Sequence, residues 1–165
     1  MSRRILSLWL PCLATDVVER RGGGAAGREL VVVTSAGRGV VVVVAVNQAA
    51  AGAGLGPGMT LADARAVVPG LAVVTAEPGQ AIETLERLAD WCGRYTPWLA
   101  MEAPDGLVLD ITGCAHLFGG EEGLIEDLTR RLGRAGFTAR VAIADTPGAA
   151  RAAARWRPAL IPPGG

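Results

Sequence analysis

Two rhythms of apolar and polar positions run along the chain, and the points where one gives way to the other separate strands from helices. Residues 4–10, RILSLWL, form a short apolar run that reads as a strand, followed by a short helix near Thr15–Arg21 and a loop at Gly22, Gly23 and Gly24. Glu29–Thr34 and Val40–Val46 read as valine-rich strands, and the SAGRG between them supplies the glycines a tight turn needs. Asn47 begins a short Ala-rich helix that cannot continue through GAGLGPGM, because Gly and Pro are the poorest helix formers. Thr60 is placed to cap the next helix, with Asp63 three residues on to satisfy a neighbouring backbone donor, and Pro69 ends it. Leu71–Val74 is a short strand.

A long amphipathic helix is predicted over Gly79–Tyr95. Ile82, Leu85, Ala89 and Cys92 share one face, with Glu83, Glu86, Arg87 and Asp90 largely off it. Two strands follow, Pro97–Ala103 and Leu107–Ile111, joined at Pro104-Asp105-Gly106. A second amphipathic helix, Glu121–Arg134, carries Leu124, Leu128 and Leu132 along its apolar stripe. A strand over Thr138–Ala144 and a helix over Pro147–Trp156 complete the pattern. With residues 11–76 set aside, the order is β-α-β-β-α-β, the ferredoxin-like plan of an antiparallel sheet backed by two helices. The expected fold is therefore α+β. It comprises a first strand in 1–10, an inserted lobe in 11–76, the remainder of the sheet domain in 77–158, and a tail or linker in 159–165.

Composition narrows the chemistry. Half of the 165 residues are apolar, enough for one sizeable core with a small appended lobe. Sixteen basic and sixteen acidic residues give zero formal net charge, so the segment carries no electrostatic footprint for nucleic acid; a grip on DNA would come from regions outside it. Every basic residue is Arg, which excludes a Walker A lysine and a Schiff-base lysine. Cys12, Cys92 and Cys114 are far apart and His116 is the sole histidine, so a zinc site is not expected and the thiols read as reduced, cytosolic ones. The run Ile5–Leu10 is too short, and too soon interrupted by Pro11, for a signal peptide, and no stretch approaches the ~20 apolar residues of a membrane span.

Three further features read as structural. Gly52, Gly54, Gly56 and Gly58 fit no GxGxxG register and form a turn. His116 has no triad partner nearby; its GCAHLFGG run reads as a turn or short helix packing Leu117 and Phe118. Trp91, Trp98 and Trp156 have faces on which bases stack, but Trp91 and Trp98 flank a core helix and strand, where packing is the expected role.

The long strings carry a resemblance. GAGLGPGMTLADARAVVPGLAVV resembles the fingers-to-palm passage of Y-family (UmuC/DinB-like) DNA polymerases. LERLADWCGRYTPWLAMEAPDGLVLDITGCAHLFGG resembles their catalytic palm hairpin, and VAIADTPGAARAAAR the strand and helix that follow. The similarity is greatest to the ImuB-type accessory subgroup. It implies a ferredoxin-like palm with a fingers lobe inserted after the first strand. In the active family three acidic residues, one on the first palm strand and two adjacent on the hairpin, hold two magnesium ions that bring a primer hydroxyl and a triphosphate together. In this sequence Trp9 stands at the first of those positions and Pro11 where a further acid is usual; Asp105 and Gly106 stand at the hairpin pair. Asp105 also has a local reading, since Asp in Pro-Asp-Gly hydrogen-bonds its own turn. Asp110 lies five residues on, on the opposite face of a regular strand, and Glu102 lies across the turn. Gln48 and Ala51 occupy the positions where active relatives hold the triphosphate with an aromatic residue and an Arg, and Pro147 and Arg151 those of phosphate-facing lysines.

The resemblance thus implies a non-catalytic, polymerase-like scaffold without metal or nucleotide cofactor, acting in the cytoplasm in DNA-damage tolerance. Its partners would be an error-prone C-family DNA polymerase, a RecA-like accessory protein and the sliding clamp. These, like DNA, would be reached mostly through regions C-terminal to this segment, which stops near the palm-to-thumb junction. Two alternatives remain: an active translesion polymerase with a displaced carboxylate, and a stand-alone ferredoxin-like ligand-binding module.

Overall fold

The computed structural model describes residues 2–22, 27–156 and 161–164; Gly23 and Gly24 of the predicted loop and part of the predicted tail lie outside the described residues. The chain divides into two compact units, one of residues 1–11 and 81–165 and one of residues 12–80.

The first unit is built on a four-stranded antiparallel sheet of β1 (Ile5–Trp9), β5 (Leu99–Glu102), β6 (Gly106–Asp110) and β7 (Arg140–Ala144), in the order β5-β6-β1-β7. Renumbered within this unit the order is 2-3-1-4, that of a ferredoxin-like sheet. Register fixes two very different faces. Leu6 and Leu8 lie opposite Leu109 and Leu107 on one side and Ile143 and Val141 on the other, all at most 4% exposed. Burying each such side chain stabilises the fold by about 1.5–3 kcal/mol. The crossovers contain α4 (Gln80–Cys92) and α5 (Gly120–Arg134), whose buried stripes are Leu85, Leu88, Ala89 and Cys92, and Leu124, Leu128 and Leu132.

The opposite face alternates with the first and carries Ile5, Ser7 and Trp9 of β1, Gly106, Val108 and Asp110 of β6, and Arg140, Ala142 and Ala144 of β7. The last helix, α6 (Pro147–Trp156), crosses this face over β1 and β7 and buries Ala150 against Ile5 and Ala144, with Ala154 also fully buried. Alanines on both surfaces let the helix come close to the sheet.

The second unit holds α1 (Leu13–Arg20), a three-stranded sheet of β2 (Leu30–Ser35), β3 (Val41–Val46) and β4 (Ala72–Thr75) in the order β3-β2-β4, and two short helices, α2 (Gln48–Gly52) and α3 (Leu61–Val67). Its core gathers Val31, Val33, Val43, Ala50, Leu55 and Ala64. The predicted Thr60 cap forms, and Asn47, read as the start of its helix, caps that helix as well. The Asn47 side chain accepts from the Ala50 N–H, and Thr60 Oγ1 accepts from the Asp63 N–H while donating to the Asp63 carboxylate. The β2–β3 turn places Gly37, Arg38 and Gly39 at positive φ, as a tight hairpin requires.

Candidate functional site

The sheet register brings the two ends of the candidate site together. Trp9, last in β1, lies opposite Gly106 on β6 and opposite Arg140 on β7. The turn before β6 is tied to the end of β1 by the Leu10 N–H, which donates to the Asp105 carbonyl at 2.9 Å. Side chains complete the join: Trp9 Nε1–H donates to Asp105 Oδ2 at 3.0 Å. The predicted role of Asp105 in its own turn is therefore corrected. Its carboxylate faces an indole 96 positions away in sequence, a partner no local turn pattern reveals.

Two cations flank the indole. The guanidinium carbon of Arg140 is 5.6 Å from the Trp9 ring centroid and that of Arg155 is 5.5 Å away, both within cation–π range. Arg155 also reaches to 3.8 Å from Asp105 Oδ1. One turn earlier on α6, Arg151 pairs with Glu102 through both its Nε, at 3.0 Å, and a terminal nitrogen. Helix α6 thus sets two arginines, four residues apart, on two acids of one hairpin. Arg140 and Arg155 were not singled out from the sequence. The i, i+4 spacing of Arg151 and Arg155 is the signal that points to them, once Glu102 and Asp105 are known to bracket a hairpin.

The other candidates lie elsewhere. The alternation expected between Asp105 and Asp110 does not apply, because Asp105 sits in the turn and not in the strand; Asp110 shares the face of Trp9 and pairs across with Ile5, four residues from Trp9. The Thr112 hydroxyl and then Arg3 hold its carboxyl below the usual carboxylate range. Gln48 and Ala51 are exposed on the first turns of α2, in the second unit. His116 is exposed on a short 3₁₀ helix, Ala115–Phe118. Leu117 there is 71% exposed and Trp98 is 76% exposed, contrary to the packing expected of both.

A pair of divalent ions needs several carboxylate oxygens converging on two centres about 4 Å apart. Trp9, Asp105 and Gly106 offer one carboxylate, already bonded to an indole N–H and set beside a guanidinium. Among the described residues no group of three or more His, Cys, Asp or Glu is arranged to hold a metal ion. The donor set does not fit the ion pair.

Comparison with known proteins agrees with the sheet. Two proteins of Caulobacter vibrioides strains named Protein ImuB are each 51% identical over 113 residues, 67% of this chain, which spans only a quarter of their length. Among solved structures, an insertion ternary complex of Dbh DNA polymerase matches 96% of this chain and 48% of its own with a TM-score of 0.84 at 18% identity. DinB from Sulfolobus solfataricus matches the same shares with a TM-score of 0.80 at 19% identity. Residues 8–155 match the impB/mucB/samB family. The chain belongs to that family, and its fold is that of a Y-family DNA polymerase.

Proposed function

We propose that this chain is the palm and fingers portion of a polymerase-like protein that does not itself join nucleotides, and that it acts as a scaffold in mutagenic translesion synthesis and DNA repair. One observation supports the reading: an indole hydrogen-bonded to Asp105, with two guanidiniums against its ring, occupies the position that the resemblance gives to a catalytic carboxylate. Gly106 supports it. A Cβ there would lie 3.3 Å from the Glu102 carbonyl oxygen and 3.4 Å from that of Leu8, a tight fit that any larger side chain would ease only by a small give of its neighbours. Gln48 and Ala51 provide neither an aromatic face nor a cation for a triphosphate.

The relatives named Protein ImuB favour an accessory role in mutagenesis, and they come from bacteria. In this reading the protein works in the cytoplasm, within the SOS response to DNA damage. It joins an error-prone C-family DNA polymerase, a RecA-like accessory protein and the sliding clamp, and meets them and DNA mostly through regions beyond this segment.

Allelic replacement in the source bacterium tests the reading. An Asp105→Ala allele at wild-type protein abundance should sustain damage-induced mutagenesis at the wild-type frequency. A fall to the frequency of the gene deletion would favour an active polymerase using Asp105.

A further inference from the structure

We infer that Arg140 and Arg155 close the Trp9 position to divalent cations, so that this corner of the palm is shut by resident positive charge as well as by missing carboxylates. This role rests on the non-catalytic reading above and deepens it.

Three observations lead there. Arg140 is fixed by register, directly across from Trp9 on the neighbouring strand. Arg155 is fixed by the helix, because Ala150 and Ala154 bury α6 on the same sheet face. Both guanidiniums then lie within 6 Å of one indole, and Arg155 faces the one carboxylate of the cluster. Arginine keeps its charge at every pH a protein survives, so neither cation relaxes by losing a proton, as a buried lysine would. A divalent ion placed here meets two permanent like charges, and the carboxylate it would use is already balanced within the chain. Arg151 balances Glu102 in the same way, leaving no free acid at this end of the hairpin to draw in an ion.

The consequence is specific: returning the acids does not by itself return the metal. Mn²⁺ binding, read by water-proton relaxation, tests this in four forms of the chain. These are the native protein, Trp9→Asp/Gly106→Glu, that pair with Arg140→Gln/Arg155→Gln added, and Arg140→Gln/Arg155→Gln alone. The pair that restores acids should bind Mn²⁺ no more tightly than the native chain. Adding the two glutamines should tighten binding at least about tenfold, the scale of effect a nearby like charge exerts on an ionic equilibrium. Equal affinity with and without the arginines overturns the inference. Tight Mn²⁺ uptake by the native chain sinks the non-catalytic reading instead. Because Gly106 is crowded, Trp9→Asp with Gly106 kept provides a second background for the same comparison.

A melting experiment stands apart from those backgrounds. In the native chain Arg140→Gln/Arg155→Gln should lower Tm by about 4 °C, as two cation–π contacts and one ion pair are lost. An unchanged Tm would mean the arginines do not balance the cluster, and would overturn the inference.

Discussion

Replacing Trp9 with phenylalanine keeps an aromatic ring at the end of β1 and removes the N–H that reaches Asp105. A hydrogen bond to a charged acceptor contributes about 1.5–3 kcal/mol when well buried. Asp105 is 30% exposed, so water competes for its oxygens and the loss falls to about 1 kcal/mol. For a domain of this size that is roughly a 2–4 °C fall in Tm. Trp9→Ala also removes the ring that both guanidiniums face and leaves a gap beside Gly106, so its cost rises to about 3 kcal/mol. Urea denaturation of the wild type, Trp9→Phe, Asp105→Asn and the double variant isolates the shared term. The coupling should be about 1 kcal/mol, because each single change breaks the same bond. A Trp9→Phe midpoint equal to that of the wild type, or a coupling of zero, would refute the claim that the indole and the carboxylate hold this corner together.

Four other outcomes follow from the contacts of Arg4, Asp145, Ser7 and the cysteines. Arg4 is 7% exposed and binds both oxygens of Glu121 at 2.7 Å, Asp145 at 2.6 Å and the Ile161 carbonyl; Arg4→Met should cost about 3 kcal/mol, seen as a lower urea midpoint, because two carboxylates lose their cation. The Gly164 N–H and then Arg4 hold the Asp145 carboxyl below its ordinary range, so its contribution is whole above about pH 4 and is lost as the pH falls through the depressed value; Arg4→Met should flatten that acid limb of the stability curve. The Ser7 hydroxyl is buried with no hydrogen-bond partner among the described residues, so Ser7→Ala should leave Tm unchanged or raise it, and a marked fall would mean the hydroxyl is satisfied. Burial pushes the Cys92 thiol up to about 12, whereas Cys114 is part-exposed; iodoacetamide followed by peptide mass analysis should label Cys114 in the native chain and Cys92 only after denaturation.

The elements were legible because their signals are local. Thr60 with Asp63 announces a helix start from two residues, and the leucines of α5 announce its buried face from three. Ends were less so. The strand read as Pro97–Ala103 pairs only over Leu99–Glu102, between prolines that have no N–H for the ladder, and the helix read as far as Tyr95 stops at Cys92, before Gly93. The acidic position that the resemblance gives to Trp9 rests on that resemblance alone, since nothing in RILSLWL says that an acid belongs there. What Trp9 does was not visible, because its partners Asp105, Arg140 and Arg155 come from three other elements. The Arg4 network escaped for the same reason: Glu121 and Asp145 stand 117 and 141 positions away.

The most direct measurement is primer extension by the full-length protein on primed template DNA, with Mg²⁺ or Mn²⁺ and all four deoxynucleoside triphosphates. No template-directed incorporation above that of a protein-free control is expected, and Asp105→Ala should change nothing. Incorporation by the wild type that Asp105→Ala abolishes would contradict the account.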